Sequence, residues 1–352
     1  MKAGVIYGKG DLRIEEKPKP VAGPGQMVVE IKYVGICGTD MEFFRDGGFP
    51  PFMKVPLTLG HENCGTVVEV GEGVERFKVG DRVLCGPPSH CAEDCSPCKE
   101  GRTNICIHGF PRTAGLGQLD GGYAPYLLVN DVEHTMIVPV PDDVDFKDAV
   151  LFDVICVALH GVRISNFKFG DDVVVSGTGP IGLSAIQILK AAGANRVIAL
   201  GTTSSKEPLI KSYGADYFIN SKECENLGDE IKKILGSDVG ADVVYECAGN
   251  MTSMANCVYE CVKPGGQVAV VGTIQQPMDN LVPGRFSISE PNFQFTFTYT
   301  ERDVQIYLNM VKAGKLSFPN MVTEIVSLDD AVEKGFKNRK PGSIKILIDP
   351  SL

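Results

Sequence analysis

Four cysteines fall close together as Cys91-x3-Cys95-x2-Cys98-x7-Cys106. Thiolates so spaced can wrap one tetrahedral ion, and an all-cysteine closed set reads as a structural zinc site. Four unrelated reduced thiols and an iron–sulfur site are the competing readings, and the strand–helix pattern further along argues against the second. Cys85 and His90 stand nearby as spare donors and read as bystanders. A second set lies upstream in Gly35-Ile36-Cys37-Gly38-Thr39-Asp40, followed by Gly60-His61-Glu62. Thiolate and imidazole are good zinc donors, and a catalytic site keeps one coordination position open. Taken alone, Cys37 reads rather as a small buried apolar residue and His61 as a satisfied polar one.

The third chemical signal is Gly177-Thr178-Gly179-Pro180-Ile181-Gly182, a G-x-G-x-x-G run after the apolar Val173-Val174-Val175 and before an apolar helical stretch. In that setting Gly177 makes the tight turn and Gly179 lets a pyrophosphate approach the backbone. Gly182 permits close helix–strand packing, and Pro180 and Ile181 open a helix whose N-terminus faces the phosphates. Dinucleotide binding is the reading, against a purely structural turn. An NAD site usually carries a carboxylate at the end of the next strand. Here Gly201 stands at that point, followed by Thr202, Thr203, Ser204, Ser205 and Lys206. Hydroxyls and a lysine would hold a 2′-phosphate that a carboxylate would repel, which favours NADP. The other reading is a polar turn that caps a helix at Ser205, with NAD bound.

These residues need two kinds of scaffold. Up to about residue 150 the chain reads as short strands punctuated by Gly and Pro: Val28–Val34, Gly65–Gly71 and Asp81–Leu84. That predicts an irregular, mostly antiparallel β domain. From about residue 165, strands alternate with helices: strands near 173–175, 196–200, 217–219, 242–245 and 267–271, helices over 181–192, 205–213, 225–236 and 251–262. Such alternation without hairpin signals predicts a doubly wound parallel sheet, so the fold class is α/β. A helix near 301–313, a strand over 321–326, a short helix near 328–335 and a strand over 343–348 form a tail expected to return to the first domain.

The chain has 352 residues, 43% of them hydrophobic and 22% charged, which suits two soluble domains. A net charge of −10 opposes nucleic acid and anionic membranes as partners. The N-terminus has no apolar signal core and no stretch is long enough to span a bilayer, so the cytoplasm is the expected location. In a reducing compartment the twelve cysteines speak for metal rather than disulfides.

Together the motifs resemble the zinc-containing medium-chain dehydrogenase/reductase family of alcohol, sorbitol, butanediol and threonine dehydrogenases. The likeness rests on G-I-C-G-T-D at 35–40, G-H-E at 60–62, V-G-D-R-V at 79–83, the cysteine lobe, G-T-G-P-I-G at 177–182 and the final Ile-Lys-Ile-Leu strand. It implies a GroES-like catalytic domain over 1–154 with a structural zinc lobe at 85–106, and a Rossmann domain over 155–300. It further implies a tail over 301–352 and a catalytic zinc in the cleft between the domains. By position, Cys37 and His61 resemble zinc ligands and Asp153 the third, with Cys156 as competitor. Glu62 resembles a glutamate that ligates directly or exchanges with water or substrate. Thr39 matches the hydroxyl that takes the substrate proton, and Glu42 stands where many members carry a relay histidine, which leaves the onward route open. Gly272 and Thr273 are the implied support for the nicotinamide.

The activity so implied is hydride transfer between a secondary alcohol or polyol, or the matching ketone, and NADP(H), by a homodimer or homotetramer. Asp153 with Glu62 leans toward the polyol, secondary-alcohol and amino-alcohol branches. The aromatic run Phe43–Phe52 reads equally as pocket lining and as domain core. A zinc-free quinone or enone reductase of the same superfamily and a non-catalytic NADP-binding protein are the alternatives.

Overall fold

A computed structural model of the chain describes residues 1–91, 94–279 and 281–352. It divides into two compact units, one formed by Met1–Asp153 with Thr298–Leu352 and the other by Val154–Phe297. Residues 92 and 93 of the cysteine lobe lie outside the described residues.

The first unit opens with a hairpin that local patterning does not announce, β1 (Lys2–Gly8) and β2 (Asp11–Glu16). Then come β3 (Met27–Gly35), α1 (Gly38–Asp46), β4 (Leu57–Thr58), β5 (Glu62–Val70) and β6 (Arg82–Gly86). The short helix α2 (Ser96–Lys99) lies in the cysteine lobe, and β7 (Tyr126–Val129), β8 (Met136–Pro139) and α3 (Phe146–Ala149) follow. Helix α4 (Phe152–Ile164) leads into the second unit.

That unit alternates strictly: β9 (Asp172–Ser176), α5 (Pro180–Ala191), β10 (Arg196–Gly201), α6 (Glu207–Ser212), β11 (Tyr217–Asn220), α7 (Leu227–Leu235), β12 (Ala241–Glu246), α8 (Met251–Asn256), β13 (Val262–Val270), α9 (Pro283–Ser289) and β14 (Asn292–Phe295). The tail supplies α10 (Glu301–Lys312), β15 (Val322–Ser327) and β16 (Lys345–Asp349) to the first unit.

In the second unit the strands form one parallel sheet in the order β11-β10-β9-β12-β13-β14. Val173, Val174 and Val175 at its centre are wholly buried, as a strand covered on both faces must be. The chain reverses direction of growth between β9 and β12, the switch point where α/β sheets bind ligands. Two predicted helices are shorter than expected. Residues 204–206 form a tight 3₁₀ turn before α6, where Pro208 sits in the first helical turn. Residues 257–261 widen into a π turn after α8. Strand β13 begins earlier than expected because Gly265, at φ +69°, allows an irregular register beside β12.

The first unit carries a sheet in the order β15-β16-β3-β5-β6-β8, with β7 also on β3. Its pairs are antiparallel except β15 with β16. The run Phe43–Phe52 resolves largely as core: Phe43 is buried, Phe44 and Phe49 pack against the same cluster, and Phe52 meets Phe110 edge-on at 5.3 Å. No helix among the described residues is long and apolar enough to cross a membrane.

Candidate active site

In the first unit, the end of β3, the start of β5 and the start of α4 converge. Cys37 is the N-cap of α1, His61 immediately precedes β5 and Glu62 begins it, and Asp153 lies in the first turn of α4. One donor atom from each of Cys37, His61, Glu62 and Asp153 lies within 4.8 Å of the other three. His61, Glu62 and Asp153 are buried, at 3, 0 and 6% exposure. Cys156, further along α4, is not in this group.

Several supporting residues were invisible as such in the sequence. Asp40 is completely buried; its Oδ2 accepts the Cys37 amide at 3.0 Å and the Tyr123 hydroxyl at 2.8 Å, while Oδ1 stands 3.5 Å from His61 Nδ1. The C-x-x-D spacing, an acid at the third helical position, was the available signal. Tyr299 donates to Asp153 Oδ1 at 2.5 Å. Lys345, at the start of β16, ion-pairs with Glu62 and donates to Ile36 O at 3.1 Å.

The electrostatics fit a bound cation. Burial pushes the Cys37 thiol up, and lifts the Glu62 carboxyl to about 7 against the pull of Lys345. Burial alone would depress the His61 imidazole; Asp40 and Cys37 more than reverse it. Glu62 Oε1 is buried without a hydrogen-bond partner, and Asp40 Oδ1 and His61 Nδ1 have only their 3.5 Å contact with each other, an arrangement that costs stability unless something else engages the group. As donors, Cys37, Glu62 and Asp153 are each anionic, and Lys345 offsets a single charge. A divalent ion with mixed sulfur, nitrogen and oxygen preference, such as zinc, meets that demand. Thr39 and Glu42 follow on α1, one turn apart and both partly exposed. Burial raises the Glu42 carboxyl, with Arg45 opposing.

The second cluster holds Cys91, Cys95, Cys98 and Cys106, whose sulfurs also lie within 4.8 Å of one another. Cys91 to Cys98 and Cys95 to Cys106 are each 3.9 Å. Zinc–sulfur bonds of about 2.3 Å in a tetrahedron set sulfurs about 3.8 Å apart, so these thiols fit an ion and are too far apart for disulfides. The Cys98 amide leads in drawing the Cys95 thiol down to about 6, while burial lifts Cys98 to about 12. Cys85 is buried in β6, and His90 packs edge-on to His134 at 5.9 Å; neither joins the cluster.

In the second unit, Gly177 leaves β9 at φ +107° and Gly179 caps α5, with Pro180 and Ile181 opening the helix. A Cβ on Gly182 would fall 1.8 Å from Gly177 O, so the helix packs where only glycine fits, whereas nothing lies within 4 Å of a Cβ on Gly179. The open face at Gly179 leaves the backbone approachable. Gly201 ends β10, and Thr202, Thr203 and Ser204 are exposed, with Lys206 half-buried. A Cβ on Gly201 would lie 2.8 Å from Thr178 Oγ1 and 2.9 Å from the Phe218 ring, so packing also keeps a carboxylate from this position. Ser204 accepts from Asn220 at 2.8 Å and donates to Glu223 at 3.2 Å. Gly272 and Thr273 follow β13 and abut Gly249.

Comparison with known proteins agrees with this layout. The family model of the alcohol dehydrogenase GroES-like domain matches residues 23–142, and that of the zinc-binding dehydrogenases matches residues 180–313. Sorbitol dehydrogenase 1 of Saccharomyces cerevisiae is 33% identical over 94% of this chain and 92% of its own length. The crystal structure of 2R,3R-butanediol dehydrogenase from Bacillus subtilis superposes with a TM-score of 0.87 at 29% identity, covering 99% of each chain. A zinc-binding dehydrogenase from Sinorhizobium meliloti 1021 bound to NADP gives the same score, identity and coverage. The chain belongs to the zinc-containing medium-chain dehydrogenase/reductase family and is an oxidoreductase acting on CH–OH groups.

Proposed function

We propose that this protein interconverts a secondary alcohol or polyol and its ketone, with NADP(H) as hydride partner, the first unit serving catalysis and the second the cofactor. The observation that carries this reading is the buried convergence of Cys37, His61, Glu62 and Asp153. The substrate class follows relatives whose names are sorbitol dehydrogenase and (R,R)-butanediol dehydrogenase. When bound, zinc supplies Lewis acidity at the substrate hydroxyl, and the nicotinamide supplies the hydride acceptor.

The residues divide the remaining work. Cys37, His61 and Asp153 hold the ion, and Glu62, tethered by Lys345, is the exchangeable fourth donor. Asp40 orients His61, and Tyr299 orients Asp153. Thr39 Oγ1 takes the substrate's hydroxyl proton, and Glu42, on the same face of α1, passes it outward. Cys91, Cys95, Cys98 and Cys106 hold a structural zinc. Such a pair of donor clusters speaks against the zinc-free reductase, which has no use for either.

Gly177, Gly179, Pro180, Ile181 and Gly182 receive the pyrophosphate, and the backbone of Gly272 and Thr273 supports the nicotinamide. Thr202, Thr203, Ser204 and Lys206 receive the 2′-phosphate beside Gly201. Glu223 favours NAD, because its carboxylate touches Ser204. A homodimer or homotetramer would assemble through β14, the edge of the parallel sheet, where Phe295 and Phe297 are 54 and 46% exposed.

Metal content and turnover of one preparation test the reading. About two zinc ions per chain are expected, with oxidation of secondary alcohols or polyols and faster turnover with NADP than with NAD. One ion or none, without alcohol oxidation, would remove Cys37, His61 and Asp153 from the chemistry.

A further inference from the structure

Glu246 ends β12 in the middle of the parallel sheet, and its side chain is completely buried. A carboxylate in that position ordinarily has a cationic partner. Glu246 has backbone partners instead. Ala248 N and Gly249 N each donate to Oε1 at 3.0 Å, and Gly249 N also lies 3.2 Å from Oε2. The Ser253 hydroxyl and the Asn250 amide nearby also favour the charged carboxylate. Burial pushes the carboxyl upward in pKa, and these donors pull it back. The side chain thus fixes the turn over 247–250.

That turn lies between the loops assigned above to the two halves of the cofactor. On one side, a Cβ on Gly177 would lie 2.7 Å from Ala248 N. On the other, a Cβ on Gly272 would lie 2.5 Å from Gly249 N and 2.7 Å from Glu246 Oε2, and one on Gly249 would lie 3.0 Å from Thr273 O. The main-chain carbonyl of Glu246 accepts Val271 N and Gly272 N, each at 2.8 Å. Glu246 therefore holds the Gly272 side directly through its carbonyl, and its carboxylate holds the Ala248–Gly249 turn that abuts it. The phosphate side also has support from outside the turn: Gly177 N donates to Leu200 O at 2.9 Å.

We propose that Glu246 is a positioning residue for the nicotinamide half of the dinucleotide, acting through the Ala248–Gly249 turn on the backbone of Gly272–Thr273. The inference rests on the assignment of Gly272 and Thr273 as the ring's support. A carboxylate suits the cradle best. An apolar side chain would orphan the amides of Ala248 and Gly249, and a carboxamide, though one oxygen could accept both, would lose the charge and turn an N–H donor toward Gly249 N at the Oε2 position.

Calorimetric titration of wild type and Glu246→Gln with NADP+, NAD+ and their nicotinamide-free fragments, 2′-phospho-ADP-ribose and ADP-ribose, tests this. The variant is expected to weaken the preferred dinucleotide about ten-fold, the loss of one charge-assisted hydrogen bond, while its fragment stays within about two-fold. The kcat should fall at unchanged zinc content. Ser253→Ala, which removes a hydroxyl that favours the charged carboxylate together with its 2.7 Å bond to Ser176 Oγ, should give a smaller loss that still falls more on the dinucleotide than on the fragment, and serves if the first variant does not fold. Equal weakening of dinucleotide and fragment would reduce Glu246 to a structural part, and no weakening of either would remove it from the site; both overturn the proposal. A wild-type chain that binds neither dinucleotide would instead overturn the cofactor site itself, and Glu246 with it.

Discussion

Gly35 and Glu62 face each other across β3 and β5, and the glycine's missing side chain is the space that the glutamate's carboxylate fills. Their Cα atoms are register partners, and a Cβ on Gly35 would lie 1.8 Å from Glu62 Oε2 and 2.9 Å from Lys345 Cε. The first glycine of G-I-C-G-T-D is thus a clearance for a buried ion pair, since Gly35 has no positive φ to demand it. Gly35→Ala should drive Glu62 off Lys345 and strand a buried cation, at a cost of about 3–5 kcal/mol. Urea unfolding of the metal-depleted protein measures it. A midpoint equal to wild type would mean that Glu62 has another place to go.

Asp153 and Tyr299 separate a proposed ligand from its support. Asp153→Asn replaces an anionic donor by a neutral amide, so the catalytic ion should be lost while the cysteine lobe keeps its own. Turnover should fall by roughly three orders of magnitude, the several kcal/mol that a Lewis acid contributes. Tyr299→Phe removes only the 2.5 Å hydrogen bond to Oδ1, and such outer partners are worth about 10–100-fold in affinity or activity. Zinc stoichiometry beside kcat for both variants decides the matter. Full occupancy and near-normal turnover in Asp153→Asn would remove it from the ligand set.

How far the sequence reaches depends on the range of the interaction. The parallel sheet was legible because each strand is a short apolar run followed directly by a helical pattern, as in Val173–Val175 and Pro180–Ala191. The hairpin β1–β2 was not: Gly8-Lys9-Gly10-Asp11 carries turn residues, with Gly10 at φ +71°, but Lys2–Gly8 shows no apolar–polar alternation to mark a strand before it. Cys37, His61, Glu62 and Asp153 stand on three elements, and spacing alone could not unite them; family resemblance suggested the set, and the fold brings its donor atoms together. Lys345 and Tyr299 escaped because each meets its partner across more than a hundred residues of chain. Asp40 escaped for the opposite reason: it lies inside the quoted motif, but only the folded turn aims one oxygen at His61 and the other at Tyr123.

The proposed preference for NADP rests on a small exposed surface. Lys206 closes the turn that Thr202, Thr203 and Ser204 expose. Replacing it by alanine should raise KM for NADP about ten-fold, as loss of one charged contact to phosphate does, and leave KM for NAD unchanged. Gly201→Asp is a poorer probe, because its Cβ would press on Thr178 and Phe218 whatever the cofactor. Glu223→Gln supplies the converse: removing the carboxylate beside Ser204 should ease NADP binding. Equal effects of Lys206→Ala on both cofactors would place the 2′ position elsewhere.

Acid stability of the second unit should depend on Asp172. Its carboxylate receives Arg196 Nε at 2.8 Å, Arg196 Nη2 at 2.6 Å and Asn195 Nδ2 at 2.8 Å. Burial pushes the carboxyl upward, and these donors more than reverse it, so the folded pKa lies below the ordinary 3.8. A carboxyl depressed in the folded state stabilises the fold above its unfolded pKa and loses that contribution as pH falls through the folded one. The stabilisation is therefore complete across neutral and mildly acidic pH and fades only below about pH 4. Asp172→Asn should cost about 2 kcal/mol, equally at pH 7 and pH 5, with the gap to wild type closing toward pH 3. Urea midpoints at the three pH values measure it. A gap that already narrows between pH 7 and pH 5 would show that the fork with Arg196 does not hold the carboxyl down.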